Sequence, residues 1–544
     1  MKIHLALASF ILCSYSLYSQ DFNYPTFSHC DSLRGALRPE RNCYNVKSYS
    51  INIDFDFEKK SIRGYNDIFF KVIDNFRVMQ IDLFEEMEID SITHGGFKCE
   101  YQRDCNAVFV ELRYEVAFEH HETVRVYYHG SPTEAIRPPW NGGFVWDADR
   151  GKDFVSVACE GYGASSWWPC KDHLSDEPDS MKISLTVPKE YTAVSNGRLI
   201  SEKTKNDKAT FNWKVTYPIN TYNVTFYIGD LVRIDDSYNG IDLTYYVLRK
   251  NKRNAKKHFE TEVPKMIEAF EHYFGPYPFK DDSYKLVEAP YWGMEHQSAI
   301  AYGNGFRKNI WGFDYILVHE SGHEWWGNNV SCIDHADLWL HEAFCTYSEA
   351  LYVEYYKGKD LAIKYLNMQK RDIANNQPIR GPFDVNYDDF GSADMYYKGT
   401  NMLHTLRILI DNDDLWFSIL KGIQKQYAYS TVSSNEIINY IGQRTGKSFH
   451  DFFNQYLNYA EPPELEYATD VDEKKGKVKV FYRYTTKLVA FDMPVRYSVG
   501  DKYHWIYPTH SWKEITLTNE EYNSFAFDEE NFMVYFKKSI NVKH

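Results

Sequence analysis

His319-Glu320-Ser321-Gly322-His323, followed after eighteen intervening residues by Glu342 in Asp337-Leu338-Trp339-Leu340-His341-Glu342, is the stretch on which the reading of this chain turns. Helical residues four apart share a face, so His319 and His323 can aim imidazole nitrogens at one point. A carboxylate on a second, packed helix then supplies a third ligand. Two imidazoles, one carboxylate and one open position suit zinc, and the pattern predicts one zinc ion held by His319, His323 and Glu342. Glu320 lies beside them as the general base, able to take the proton of a water whose pKa zinc lowers to about 7. With 19 His in the chain the five-residue motif alone is weak evidence. The position of Glu342 makes it specific.

Outward from this motif the patterning changes twice. From 311 to about 459 most segments are helical, including 338–356 and 399–410. Upstream, Phe259, Val263, Met266, Ile267 and Phe270 recur at helical spacing until Gly275-Pro276 stops them. Before that, over 48–248, apolar residues alternate two by two, as in Ile51, Ile53 and Phe55, the mark of half-buried strands. After Glu461-Pro462-Pro463-Glu464 strand patterning returns, at 477–484, 494–499, 514–517 and 532–536. The expected order is a β domain over 21–248, a helix-rich α/β domain over 249–460 and a small β domain over 465–544, an α+β multidomain chain.

The first twenty residues form a separate unit. Lys2, the apolar run 5–12 and the small or polar run 14–20 predict a secretory signal peptide cut near Ser19 or Gln20, and hence a periplasmic or extracellular location. Cys13 follows Leu12 rather than a small residue, which argues against a lipid-modified cysteine. The eight other cysteines form near neighbours, Cys30/Cys43, Cys99/Cys105, Cys159/Cys170 and Cys332/Cys345, and in an exported chain predict disulfides, local pairing being the expectation among many connectivities; without export, free buried cysteines are the better reading. No later apolar run is long enough to span a bilayer, so no stable membrane insertion is expected. A formal charge of −15 argues against nucleic acid as a partner. Asn223-Val-Thr225 and Asn329-Val-Ser331 match the N-glycosylation pattern.

The motif and its surroundings resemble the gluzincin aminopeptidases related to aminopeptidase N and leukotriene hydrolase. Their zinc helix continues H-E-x-x-H with Gln or Glu, Trp, an aromatic, Gly and Asn, and here stand Glu324-Trp325-Trp326-Gly327-Asn328. Their second helix reads Leu-Trp-Leu-Asn-Glu-Gly-Phe; His341 replaces the Asn and Ala343 the Gly, and neither change removes a ligand. Trp292-Gly293-Met294-Glu295-His296 resembles their Gly-x-Met-Glu-Asn motif. The resemblance implies that Glu295 binds the substrate's free α-ammonium and that Gly293 and Met294 line the peptide. It also implies that Trp292, where Gly is usual, narrows the pocket for the first side chain. Glu160, nine positions before Pro169, matches a second amine anchor. Two carboxylates facing an ammonium hold it charged and select against blocked termini.

A tetrahedral oxyanion needs a donor opposite the metal, and a Tyr hydroxyl donates without adding charge. The chain has 45 Tyr, so composition selects none. The family's catalytic Tyr stands two residues before Lys-Gly at a helix start; Tyr396-Tyr397-Lys398-Gly399 fits and selects Tyr396, leaving Tyr397 to packing.

Phe452-Phe453-Asn454-Gln455-Tyr456-Leu457, Met493-Pro494-Val495 and Phe527-Asp528-Glu529-Glu530-Asn531 extend the resemblance almost to the end of the chain. It implies a saddle-like N-terminal β-sheet domain, a thermolysin-like α/β catalytic domain and a C-terminal β-sandwich, without the large helical domain of many relatives. The far side of the cleft is then open or covered by a partner chain, so a homo-oligomer is one arrangement the sequence admits. The implied activity is zinc-dependent removal of N-terminal residues from peptides with a free N-terminus. The alternatives are a thermolysin-like endopeptidase, a leukotriene-hydrolase-like epoxide activity on the same scaffold, for which no residue points to a lipid pocket, and a non-catalytic peptide-binding protein on the same fold.

Overall fold

A computed structural model describes residues 22–540. The expected signal peptide and Cys13 lie outside them. Three layers of structure follow the chain in the expected order. The N-terminal region is built on an eight-stranded sheet, in which Tyr44–Asp56 lies between Ser61–Val72 and Ser180–Pro188. The first pairing is antiparallel and the second parallel. Ile51, Ile53 and Phe55 are buried on one face, as their alternation requires. A four-stranded sheet, Gly143–Asp149, Lys152–Ala158, Thr192–Ser195 and Phe226–Gly229, packs against it through Phe55, Phe144, Trp167 and Phe226.

The central region combines a five-stranded sheet with helices. Its strands are Leu231–Tyr238, Ile241–Leu248, Tyr284–Glu288, Ile300–Tyr302 and Gly293–Met294. This sheet reaches back across the boundary expected at residue 248, because Ile241–Leu248 pairs in parallel with Tyr284–Glu288. Gly293–Met294 sits at its edge, bonded on one side only, to Ile300–Tyr302. Helix Lys252–Phe274 buries Phe259, Val263, Met266, Ile267 and Phe270 and stops at Gly275, whose φ of 100° suits only glycine. Helices Tyr315–Gly322, Trp339–Lys357 and Asp394–Ile410 carry, respectively, His319 with Glu320, Glu342, and Tyr396.

The C-terminal region has a four-stranded sheet, Lys513–Thr518, Lys477–Tyr484, Glu464–Asp472 and Tyr535–Lys538, and a three-stranded one, Lys502–Ile506, Val495–Val499 and Phe525–Phe527. Phe527 bridges them, 5.0 Å from Tyr467 and 4.8 Å from Phe536 between ring centroids. Among the described residues no helix is long and apolar enough to cross a membrane.

The local disulfides are corrected by the tertiary structure. Cys30, on the short helix His29–Gly35, pairs with Cys105, in the turn after Glu100–Asp104, across 75 residues. Cys43, Cys99, Cys159, Cys170, Cys332 and Cys345 are free and buried. Several of their thiols are used as donors instead: Cys43 to the Glu40 carbonyl, Cys159 to that of Tyr222 and Cys345 to that of His319. Proximity in sequence failed as a guide because each neighbour pair is split between different elements. The two glycosylation patterns are likewise internal: Asn223 and Asn329 are buried, their amides bonded to Asn328 and Gln424.

Candidate active site

Asp314 caps the first motif helix, accepting from the Leu317 N–H, and is itself held by Tyr302, Asn304 and His258. The helix is assigned through Gly322, and His323 keeps helical angles (φ −64°, ψ −21°), so the four-residue spacing still turns both imidazoles to one side. Glu342 enters from Trp339–Lys357, which packs beside it. Glu342 Oε2 lies 3.6 Å from His319 Nε2 and 3.5 Å from His323 Nε2. Three ligand atoms held tetrahedrally about 2.0–2.1 Å from one zinc ion are separated by about 3.3 Å. Glu342 Oε2 is also buried with no hydrogen-bond partner. A buried carboxylate oxygen left bare between two imidazole nitrogens fits a cation at their centre. The other nitrogens are engaged: His319 Nδ1 is 2.7 Å from Glu349 Oε1 and His323 Nδ1 is 2.9 Å from the Trp326 carbonyl. Each ring therefore presents Nε2 inward.

Burial alone raises the Glu342 carboxyl, but His323 and His319 overrule it and hold it well below the usual range. Glu320 is buried in the same floor. Burial pushes its carboxyl up to about 7, with His319 and His323 opposing. Gly293 lets the edge strand approach the base closely: a Cβ on it would stand 2.5 Å from Glu320 Oε1 and 2.9 Å from Ile316 Cγ2, so a side chain there would displace Glu320 or Ile316. Tyr396, on Asp394–Ile410, donates to Glu342 Oε1 at 3.0 Å. Burial and the Glu342 charge raise its phenol well above the ordinary value, keeping it a donor.

Glu160 and Glu295 stand together at one end of the cleft, with carboxylate oxygens within 4.8 Å of each other and of a His341 nitrogen. Glu295 Oε1 accepts from Tyr222 at 3.0 Å, whereas Glu160 Oε1 is buried without a partner. Burial and repulsion from Glu295 push the Glu160 carboxyl well up. The substitutions noted above are accommodated. His341 Nε2 accepts from the Cys332 N–H at 2.8 Å and thereby anchors the strand Val330–Cys332. Ala343 faces Gly399, where a Cβ would come within 2.5 Å of the alanine methyl. His296 bonds Tyr227 at 2.8 Å, and burial pushes it down to about 3, so it is neutral.

The cleft, of about 730 Å³, is lined by Glu160, Gly293, Met294, Glu295, His319, Glu320, His323, Glu342 and Tyr396, so all the predicted site residues meet in one cavity. Tyr397 lines it too, in addition to packing. Trp292 lies at the end of the edge strand away from Glu295. It is 45% exposed, with its ring 5.5 Å from Tyr315 and 6.3 Å from Trp140. It therefore lines the cleft together with Tyr315 and Trp140. Two contributors escaped the sequence reading. Glu349 orients His319, and its spacing of seven from Glu342, two helical turns on one face, was the available signal. Tyr222 steadies Glu295 from a distant loop and left none.

Two family models match the chain, the peptidase family M1 domain over residues 259–456 and the peptidase M1 N-terminal domain over 45–223. The chain belongs to peptidase family M1. It is 22% identical to a probable aminopeptidase 2 of Sulfurisphaera tokodaii, over 84% of this chain and 59% of the relative. It is also 22% identical to an aminopeptidase N of Lactococcus lactis, over 78% of this chain and 52% of the relative. The chain thus spans about half the length of the curated relatives it matches. An M1 zinc metallopeptidase of Deinococcus radiodurans, solved as a variant bound to Tyr-Ser-Ala, shares the fold. Its TM-score is 0.66 at 19% identity, over 78% of this chain and 97% of that one.

Proposed function

We propose that this chain is a zinc-dependent aminopeptidase that removes the first residue of peptides with a free N-terminus. The observation that carries the reading is the pair Glu160 and Glu295 beside the triad of His319, His323 and Glu342. Neither carboxylate has a Lys or Arg ion-pair partner among the described residues, and Glu160 Oε1 has no partner at all. Two converging carboxylates, Glu295 buried and Glu160 half-buried with its Oε1 enclosed, call for a cation, and an α-ammonium is the cation a peptide brings.

When bound by the triad, zinc supplies Lewis acidity to water and to the scissile carbonyl. Glu320 takes the proton of the attacking water and delivers it to the leaving amine; its raised carboxyl suits exchange in both directions near neutrality. Tyr396, kept protonated, donates to the developing oxyanion. The free edge of Gly293–Met294 offers backbone groups to an extended substrate, and Glu160 and Glu295 stop its N-terminus one residue from the scissile bond. This stop favours an exopeptidase over a thermolysin-like endopeptidase. The proposal includes export through the leader at 1–20, for which the Cys30–Cys105 bond, at home in an oxidising compartment, is support.

Zinc-loaded protein is tested on a chromogenic aminoacyl amide and on its N-acetylated form. The free amide should be cut and the blocked one spared. Equal rates, or no cleavage of either, sink the reading.

A further inference from the structure

We infer that Arg34, on the short helix His29–Gly35, is the positioning residue for Glu160, so that selection of a free N-terminus depends on a side chain that never touches substrate. This rests on the proposed aminopeptidase reading. Glu160 begins a tight loop in which Tyr162 N–H bonds the Glu160 carbonyl and Gly163 N–H that of Cys159, both at 2.7 Å. The loop turns through Gly161 (φ +68°) and Gly163 (φ +99°), conformations that side chains rarely adopt. The Gly161 and Tyr162 carbonyls are thereby turned outward, and both accept from Arg34 Nη2, the second at 2.6 Å.

A second arginine of the same segment grips the loop's far end. Arg41 Nη2 donates to Asp82 Oδ2 at 2.6 Å, and that oxygen also accepts from the Asp172 N–H at 2.9 Å. The Asp172 carboxylate in turn accepts from the N–H groups of Ala164 and Ser165, the next residues of the loop. The helix carrying Arg34 is itself tied down on two sides. Cys30, four residues before Arg34 and on the same face, is bonded to Cys105 of the β region. On the catalytic side Tyr24 donates to the Arg380 carbonyl at 3.0 Å, Tyr24 and Phe27 pack edge-on against Tyr387, and Gly35 meets the Val385 backbone too closely for a Cβ. Asp388, which follows Tyr387 on that wall, approaches Gly161 and lines the cleft.

The clamp has a physical reason. Glu160 Oε1 is enclosed without a hydrogen-bond partner, and the Glu160 carboxyl converges on that of Glu295. Glycine at both hinges leaves the loop backbone its widest choice of conformation, so whatever grips its carbonyls sets where Glu160 points. A guanidinium on two carbonyls makes charge-assisted bonds, which are stronger than neutral ones, and supplies the holding force without neutralising the carboxylates that the ammonium needs.

The test compares wild type, Arg34→Ala, Glu160→Ala and the double variant on the free and N-acetylated aminoacyl amides, with zinc content measured in each. Arg34→Ala should raise KM for the free amide by about tenfold or more while kcat changes by about twofold or less, a loss of binding rather than of chemistry. Arg34→Lys should restore part of the loss. In the Glu160→Ala background Arg34→Ala should cost nothing further. If Arg34→Ala does not fold, Arg34→Gln, which keeps an amide donor without the charge, is read in the same way. Wild type that cuts both amides equally overturns the aminopeptidase reading and the role of Arg34 with it. Wild type that prefers the free amine, with Arg34 variants that keep its KM, or a full additional loss in the Glu160→Ala background, overturns the role of Arg34 alone.

Discussion

Glu349→Gln isolates the orientation of the metal-binding imidazole from the ligands themselves. Glu349 is completely buried. One of its oxygens lies 2.7 Å from His319 Nδ1, and the other accepts from Tyr365 O–H and from Gln369 Nε2 at 3.4 Å. Glutamine keeps the shape and an acceptor for His319, so no cavity opens and Tyr365 can reverse its hydroxyl. What is lost is the charge. A charge-assisted bond contributes about 1.5–3 kcal/mol against about 1 kcal/mol for a neutral one, so the change removes roughly 0.5–2 kcal/mol from the ordering of His319. That is about a 2- to 30-fold loss of zinc affinity, its upper part overlapping the 10- to 100-fold range typical of outer partners of metal ligands. Competition against a chromophoric chelator measures it, with circular dichroism of the apo form as the control for folding. Unchanged zinc affinity in a folded variant refutes the argument, because it means that His319 is oriented by something other than Glu349.

Three further outcomes follow from contacts already described. Tyr396→Phe should lower kcat by roughly a hundredfold or more with zinc content intact, measured by steady-state kinetics, if the hydroxyl is the oxyanion donor. Gly293→Ala places a methyl 2.5 Å from where Glu320 Oε1 now sits, and displacing the base by about 1 Å should cost on the order of a hundredfold in rate; an unaffected rate separates Glu320 from the chemistry. His404 is buried beside Asn531, and burial pushes its imidazole down to about 3, the hydrogen bond opposing only in part. The unfolded chain, with a histidine near pKa 6.5, then binds a proton that the folded chain refuses, so this site's stability is complete above pH ~6.5 and is lost as pH falls towards ~3. Between pH ~6.5 and ~4.5, His404→Gln should lose about 2 kcal/mol less unfolding free energy than wild type in urea titrations; parallel pH profiles contradict a buried neutral His404.

Much of the site was legible because its chemistry is written at helical spacing. His319 and His323 need only one turn of helix to converge, and local hydrogen bonding enforces that turn wherever it forms. Ile51, Ile53 and Phe55 announced a strand for the same reason, since a two-residue period puts one kind of side chain on one face. Cysteine pairing was misread because it is a long-range property: Cys30 meets Cys105 only after a helix has docked on a distant turn. The extra sheet strands before residue 248 were hidden likewise, because alternation identifies a strand without saying which sheet it joins.

By itself, then, the sequence singled out His319, Glu320, His323 and Glu342 and the order of β, helical and β regions, from periodicities of a few residues and one spacing between two helices. Only the tertiary structure decided what surrounds them. It put Glu349 behind His319, Tyr222 behind Glu295 and Arg34 behind the Glu160 loop, and it set Trp292 beside Tyr315 and Trp140 in the cleft lining. The hydrogen bonds among these contacts join residues between 30 and 128 positions apart. Hydrogen bonds of that range carry no local period; they exist only once packing has brought the elements together.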